Sequence, residues 1–123
     1  MLDKRQFYIN GQWVDPIAPN DLEVINPSNE EVCAIISLGS SADTDLAIES
    51  ANKALPSWSK TSKEERLKLI EKLYEIYKAR WNDMTESISL EMGAPYDWAN
   101  EEQSKSGANH IKNFIKTLKK FEF

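Results

Sequence analysis

The chain has 123 residues, 41% hydrophobic and 28% charged, which suits one modest globular domain. Its net charge of -5 opposes a phosphate backbone, so nucleic acid is not expected as a primary partner. No run of about 18 apolar residues is present and no apolar segment follows Met1, so neither a membrane span nor a secretory signal is expected, and the reading is cytoplasmic.

Phe7 to Val14 alternates β-formers around Asn10-Gly11, a pair that supplies both positive-φ positions of a type I′ turn. A β-hairpin is expected there. Pro16 and Pro19 interrupt the chain before a second pair of extended runs, Leu22 to Ile25 and Val32 to Leu38. Asn26-Pro27-Ser28-Asn29-Glu30 lies between them. Pro27 keeps Asn26 out of the α region, so the first run should end extended at Asn26.

The apolar period then changes from 2 to 3.6. A helix over residues 41–56 is expected, capped by Ser41, with Asp43 and Asp45 in its first turn and Pro56 as its stop. Trp58 falls in the linker that follows. Ser62 and Glu65 have capping-box spacing at the head of a stripe that runs Leu67, Ile70, Leu73, Tyr74, Tyr77, Trp81, Met84 and Ile88. The pattern predicts one helix over residues 62–92, roughly 45 Å long at about 1.5 Å per residue. So long a helix implies more protein than a chain of this size supplies. Gly93 suits the left-handed residue after it, and Pro95 suits the first turn of a third helix over residues 95–120.

No catalytic constellation is visible. Cys33, the only cysteine, sits in a β-branched run with no base nearby in sequence, which points to a structural role and excludes a disulfide. His110 is the only histidine and lies at the edge of the last helix, where a lone imidazole makes neither a metal site nor a relay. The pairs Glu64/Glu65 and Glu101/Glu102 point about 100° apart on a helix, as caps and solvated faces do. Five lysines and no acid lie between Lys105 and Lys120, read as a solvated face. Gly11, Gly39, Gly93 and Gly107 form no phosphate loop.

The order of features nevertheless resembles one family. Tyr8-Ile9-Asn10-Gly11-Gln12-Trp13-Val14, Val24-Ile25-Asn26-Pro27, Leu38-Gly39-Ser40, Ala51 to Ser59, Glu65 to Ile70 and Leu90-Glu91-Met92-Gly93 together look like the opening of an NAD(P)-dependent aldehyde dehydrogenase. The Met-Gly-Ala-Pro form resembles a bacterial subgroup. The resemblance covers only the N-terminal quarter of such a chain. It implies an α/β segment in which two β-hairpins, within residues 1–39, precede three helices that pack about a Rossmann-like sheet lying outside the segment. In the complete family enzyme a cysteine thiolate attacks the aldehyde, hydride passes to NAD or NADP, and a glutamate-activated water releases the acid.

No residue here matches those catalytic or cofactor positions, and Cys33 does not correspond to the nucleophile. By resemblance, the main-chain carbonyls of Val24 and Ile25 and the carboxylate of Glu91 would hold a monovalent cation, Na+ or K+. The implied partners are the remainder of the fold and further copies of the complete enzyme. An inactive architectural fragment is therefore expected. The alternatives are a small helical interaction module or one part of a split enzyme.

Overall fold

Asn10 and Gly11 take φ values of 54° and 76°, the left-handed pair that a two-residue type I′ turn requires. They join strands β2 (Phe7–Ile9) and β3 (Gln12–Val14), with Tyr8 opposite Trp13. The two rings lie 5.2 Å apart at a tilt and cover the hairpin's outer face. The computed structural model describes residues 1–123, which form two units, Met1–Lys60 and Thr61–Phe123.

The first unit also contains a three-stranded sheet in which the strand Glu31–Ser37 lies between Leu2–Lys4 and Asp21–Asn26. Strands β4 (Asp21–Asn26) and β5 (Glu31–Ser37) form the expected second hairpin. Asn26 ends β4, its side chain accepting from Ser28 N–H at 2.9 Å and its carbonyl from Glu30 N–H at 2.8 Å. Strand β1 (Leu2–Lys4) was not anticipated and pairs parallel to β5, with Leu2 opposite Ala34. A three-residue edge strand has no periodicity to read; its partner defines it.

Helix α1 (Ser41–Trp58) is capped by Ser40, one residue before the expected Ser41. The Ser40 side chain accepts from Asp43 N–H while the Asp43 carboxylate accepts from Ser40 N–H, a complete capping box. Asp45 lies beyond the first turn. Pro56 does not stop the helix. It removes one donor, yet Ser59 N–H still reaches Leu55 O at 2.8 Å, so Trp58 is helical and not part of a linker.

The second unit begins with the expected Ser62–Glu65 capping box. The long helix expected over residues 62–92 is two helices, α2 (Lys63–Ala79) and α3 (Trp81–Met92). The break falls at Arg80, with φ -104° and ψ 23°, whose N–H is shared between Ile76 O and Tyr77 O. Neither Gly nor Pro marks it in the sequence. Uninterrupted, α2 is only about 26 Å long at ~1.5 Å per residue.

Gly93 closes α3 at φ 68°, in the left-handed conformation expected of it. The third helix begins at Tyr96, with Pro95 as its cap, and is not uniform. A short α4 (Tyr96–Trp98) leads into a π-helical turn, Ala99–Gln103, and then α5 (Ser104–Lys120). Helices α2 and α5 pack together, and Lys119 of α5 bridges Glu71 of α2 at 3.0 Å. The fully apolar core is small. Its only buried hydrophobic residues are Ala34, Ala99 and Ala108.

Candidate functional site

A buried polar arrangement lies where α2 and α3 meet the π-helical turn and α5. Thr85 and Ser104 are both 0% exposed, and their hydroxyls lie 3.0 Å apart. Thr85 Oγ1 also donates to Trp81 O at 3.1 Å, the i−4 bond by which a helical threonine satisfies its hydroxyl without solvent. Trp81 Nε1 donates to Asn100 Oδ1 at 2.6 Å, and Tyr77 hydroxyl donates to Ser104 O at 2.9 Å. The π-turn swings Asn100 and Ser104 onto this face. Burial raises the Tyr77 phenol above its ordinary value of 10.0. These groups are hydroxyls, an amide and an indole, with no carboxylate or imidazole among them to activate a hydroxyl. The cluster ties α2, α3 and α5 together through hydrogen bonds.

A second polar centre anchors the first unit. Asp43 is 4% exposed, and its carboxylate accepts from Ile17 N–H at 2.9 Å, Ser40 N–H at 2.8 Å and Ser40 hydroxyl at 2.6 Å. These donors, Ile17 N–H foremost, hold its carboxyl below 3.8. All of that hydrogen bonding is structural. It ties the Pro16 loop to the head of α1.

The residues singled out by sequence fall elsewhere. Cys33 is the extra residue of a β-bulge, since Val24 pairs with Ala34 and Ile25 with Val32. Its half-buried thiol donates to Val24 O at 3.3 Å. His110 is exposed on α5. Glu65 is a cap, its carboxyl lowered by the Ser62 N–H, while Glu101 and Glu102 are exposed on the π-turn. Val24 and Ile25 flank the register shift of β4, and Glu91 is exposed near the end of α3. No group of three or more His, Cys, Asp and Glu side chains is placed to hold a metal ion.

Sequence reasoning missed Asp43 as an anchor and the Thr85–Ser104 pair entirely. The one available signal was the i, i+4 spacing of Trp81 and Thr85. A groove of about 780 Å³ in the first unit is lined by Asp3, Arg5, Gln6, Trp13 and Asp15 among others. Apart from Lys4, its charged side chains are already engaged. Arg5 bridges Asp3 at 2.7 Å and Asp21 at 3.3 Å, and Gln6 Nε2 donates to Asp15 at 3.0 Å. The glycines form no dinucleotide cradle: Gly11 turns a hairpin, Gly39 packs on Phe7, Gly93 ends a helix and Gly107 packs on Tyr77.

Comparison with known proteins supplies what the site does not. The model of the aldehyde dehydrogenase family matches residues 13–123. A 3-succinoylsemialdehyde-pyridine dehydrogenase from a Pseudomonas species is 38% identical over 124 residues, covering 100% of this chain and 26% of that protein. A crystal structure of an aldehyde dehydrogenase from Bartonella henselae superimposes with a TM-score of 0.98 at 56% identity, over 100% of this chain and 26% of that one. A variant of aldehyde dehydrogenase C from Pseudomonas syringae, solved with NAD+ and octanal, gives a TM-score of 0.94 at 37% identity, over 97% and 24%. The chain thus spans about a quarter of the length of these relatives, their N-terminal quarter, and the rest of the fold lies outside it. No helix is long and apolar enough to cross a membrane.

Proposed function

Since the chain belongs to the aldehyde dehydrogenase family, we propose that it is the N-terminal architectural segment of an enzyme that oxidises an aldehyde to a carboxylic acid with NAD+ or NADP+, and that alone it catalyses nothing. One observation carries this reading. The chain spans a quarter of its relatives, and its own apolar core amounts to three alanines while residues such as Leu46, Leu55, Leu69 and Leu73 stay exposed. A helix gains most of its stability by covering an apolar face, so these faces call for further polypeptide.

NAD+ would accept the hydride in the complete enzyme, as the solved Pseudomonas syringae relative with bound NAD+ supports. No residue of this chain is assigned to that step. By family resemblance, the Val24 and Ile25 carbonyls and the Glu91 carboxylate are proposed oxygen ligands for Na+ or K+ in the complete protein. That protein is proposed to be a cytoplasmic homo-oligomer.

The test is direct. The purified chain is incubated with NAD+ or NADP+ and octanal, and NAD(P)H fluorescence is followed. No signal is expected; turnover by this chain alone would sink the proposal. Calorimetry tests the interaction-module alternative. A sharp, cooperative monomeric transition would favour a self-sufficient interaction module over an architectural segment.

A further inference from the structure

We propose that Leu69, Leu73 and Ile76 of α2 form a docking face for the polypeptide that, in the relatives, follows the matched segment. The inference rests on the architectural reading above and assigns it a specific surface. Helix α2 has two apolar sides. Leu67, Ile70, Tyr74 and Tyr77 are partly buried on the side that meets α5. Leu69, Leu73 and Ile76 recur at i, i+4 and i+7, about 100° of rotation away, and are 54%, 51% and 44% exposed.

That spacing is how a helix seats itself in an apolar groove. A solvated helix needs only one such side, so the second implies a second neighbour. The relatives supply a candidate by length, since each carries about three quarters of its chain beyond what this one matches. A second copy of this chain is the weaker occupant. Three side chains along about 10 Å of helix fall far short of the roughly 20–30 residues a side that a stable dimer buries.

The test uses this chain and, as a separate polypeptide, the portion of the Bartonella henselae aldehyde dehydrogenase that follows its matched segment. Association is measured by titration calorimetry. The wild-type chain is expected to bind, and Leu73→Glu to weaken binding at least tenfold, while Lys68→Ala on the polar side leaves it unchanged. The double substitution Leu69→Gln, Ile76→Gln keeps helix-favouring residues and should weaken binding similarly, with circular dichroism confirming that the helices persist.

Wild-type affinity in Leu73→Glu and in the double variant would overturn the docking face while leaving the architectural reading intact. Failure of the wild-type chain to bind at all, with circular dichroism showing the relative's portion to be folded, would overturn that reading and the face with it. A wild-type dimer that Leu73→Glu dissociates, seen by sedimentation, would assign the stripe to a second copy and overturn the proposed occupant.

Discussion

The Tyr77 ring occupies the space where a side chain on Gly107 would begin. A β-carbon at residue 107 would lie 2.9 Å from Tyr77 Cζ and closer still to the phenol oxygen. The tyrosine can therefore reach across from α2 and donate to Ser104 O only because α5 has no side chain there.

Gly107→Ala should for this reason destabilise the second unit. Helix propensity favours Ala over Gly by about 1 kcal/mol, but overpacking a fitted contact costs about 1–3 kcal/mol, and it also displaces the Tyr77 hydrogen bond. A lowered urea midpoint of the far-ultraviolet helix signal is expected. Tyr77→Phe should soften the penalty by removing the nearest atom, so the two substitutions should be non-additive. A Gly107→Ala chain as stable as the native one would contradict the contact.

Thr85→Val keeps the shape of a fully buried residue but strips Ser104 Oγ of its partner. A loss of about 1–3 kcal/mol is expected. Adding Ser104→Ala should cost little more, or recover part of the loss, because no polar group is then left stranded. A double-mutant cycle on the same urea transition checks this, and strict additivity would show that the two hydroxyls do not couple.

Asp43 gives the first unit an acid sensitivity. Its carboxyl titrates below 3.8 in the folded chain because Ile17 N–H and then Ser40 donate to it. The stabilisation is complete above the ordinary value and is lost as pH falls through the lower folded one. Protection of the Ile17 amide, measured as its exchange rate relative to that of an unstructured peptide at the same pH, should fall in that acidic window. In Asp43→Ala that protection should be low at every pH, with the acid-dependent step gone.

Gly93→Ala should loosen the exit from α3. The φ of 68° costs an L-residue roughly 1–2 kcal/mol. Loss of protection at Gly93 N–H, which donates to Ser89 O at 3.1 Å, would report it by hydrogen exchange.

Much of the local structure was legible in the residues. Asn10-Gly11 specified its turn, Ser62 with Glu65 specified a cap, and Gly93 specified a helix end, because each acts through neighbours a few positions away. The family was legible too, in the order of those landmarks. Strand β1, the break at Arg80 and the π-helical turn were not. No residue at Arg80 or Ala99 disfavours a continuous helix, and their geometry accompanies contacts between α3 and the following segment, Trp81 with Asn100 and Thr85 with Ser104.

The residues alone thus determined the turns, the caps and the apolar stripes, since these depend on backbone preference and on hydrogen bonds closed within one turn. Tertiary structure decided which polar groups are buried together and which stripes stay uncovered. Those outcomes depend on which side chains meet across separate elements, and α2 shows the difference: α5 covers one apolar side while Leu69, Leu73 and Ile76 remain open on the other.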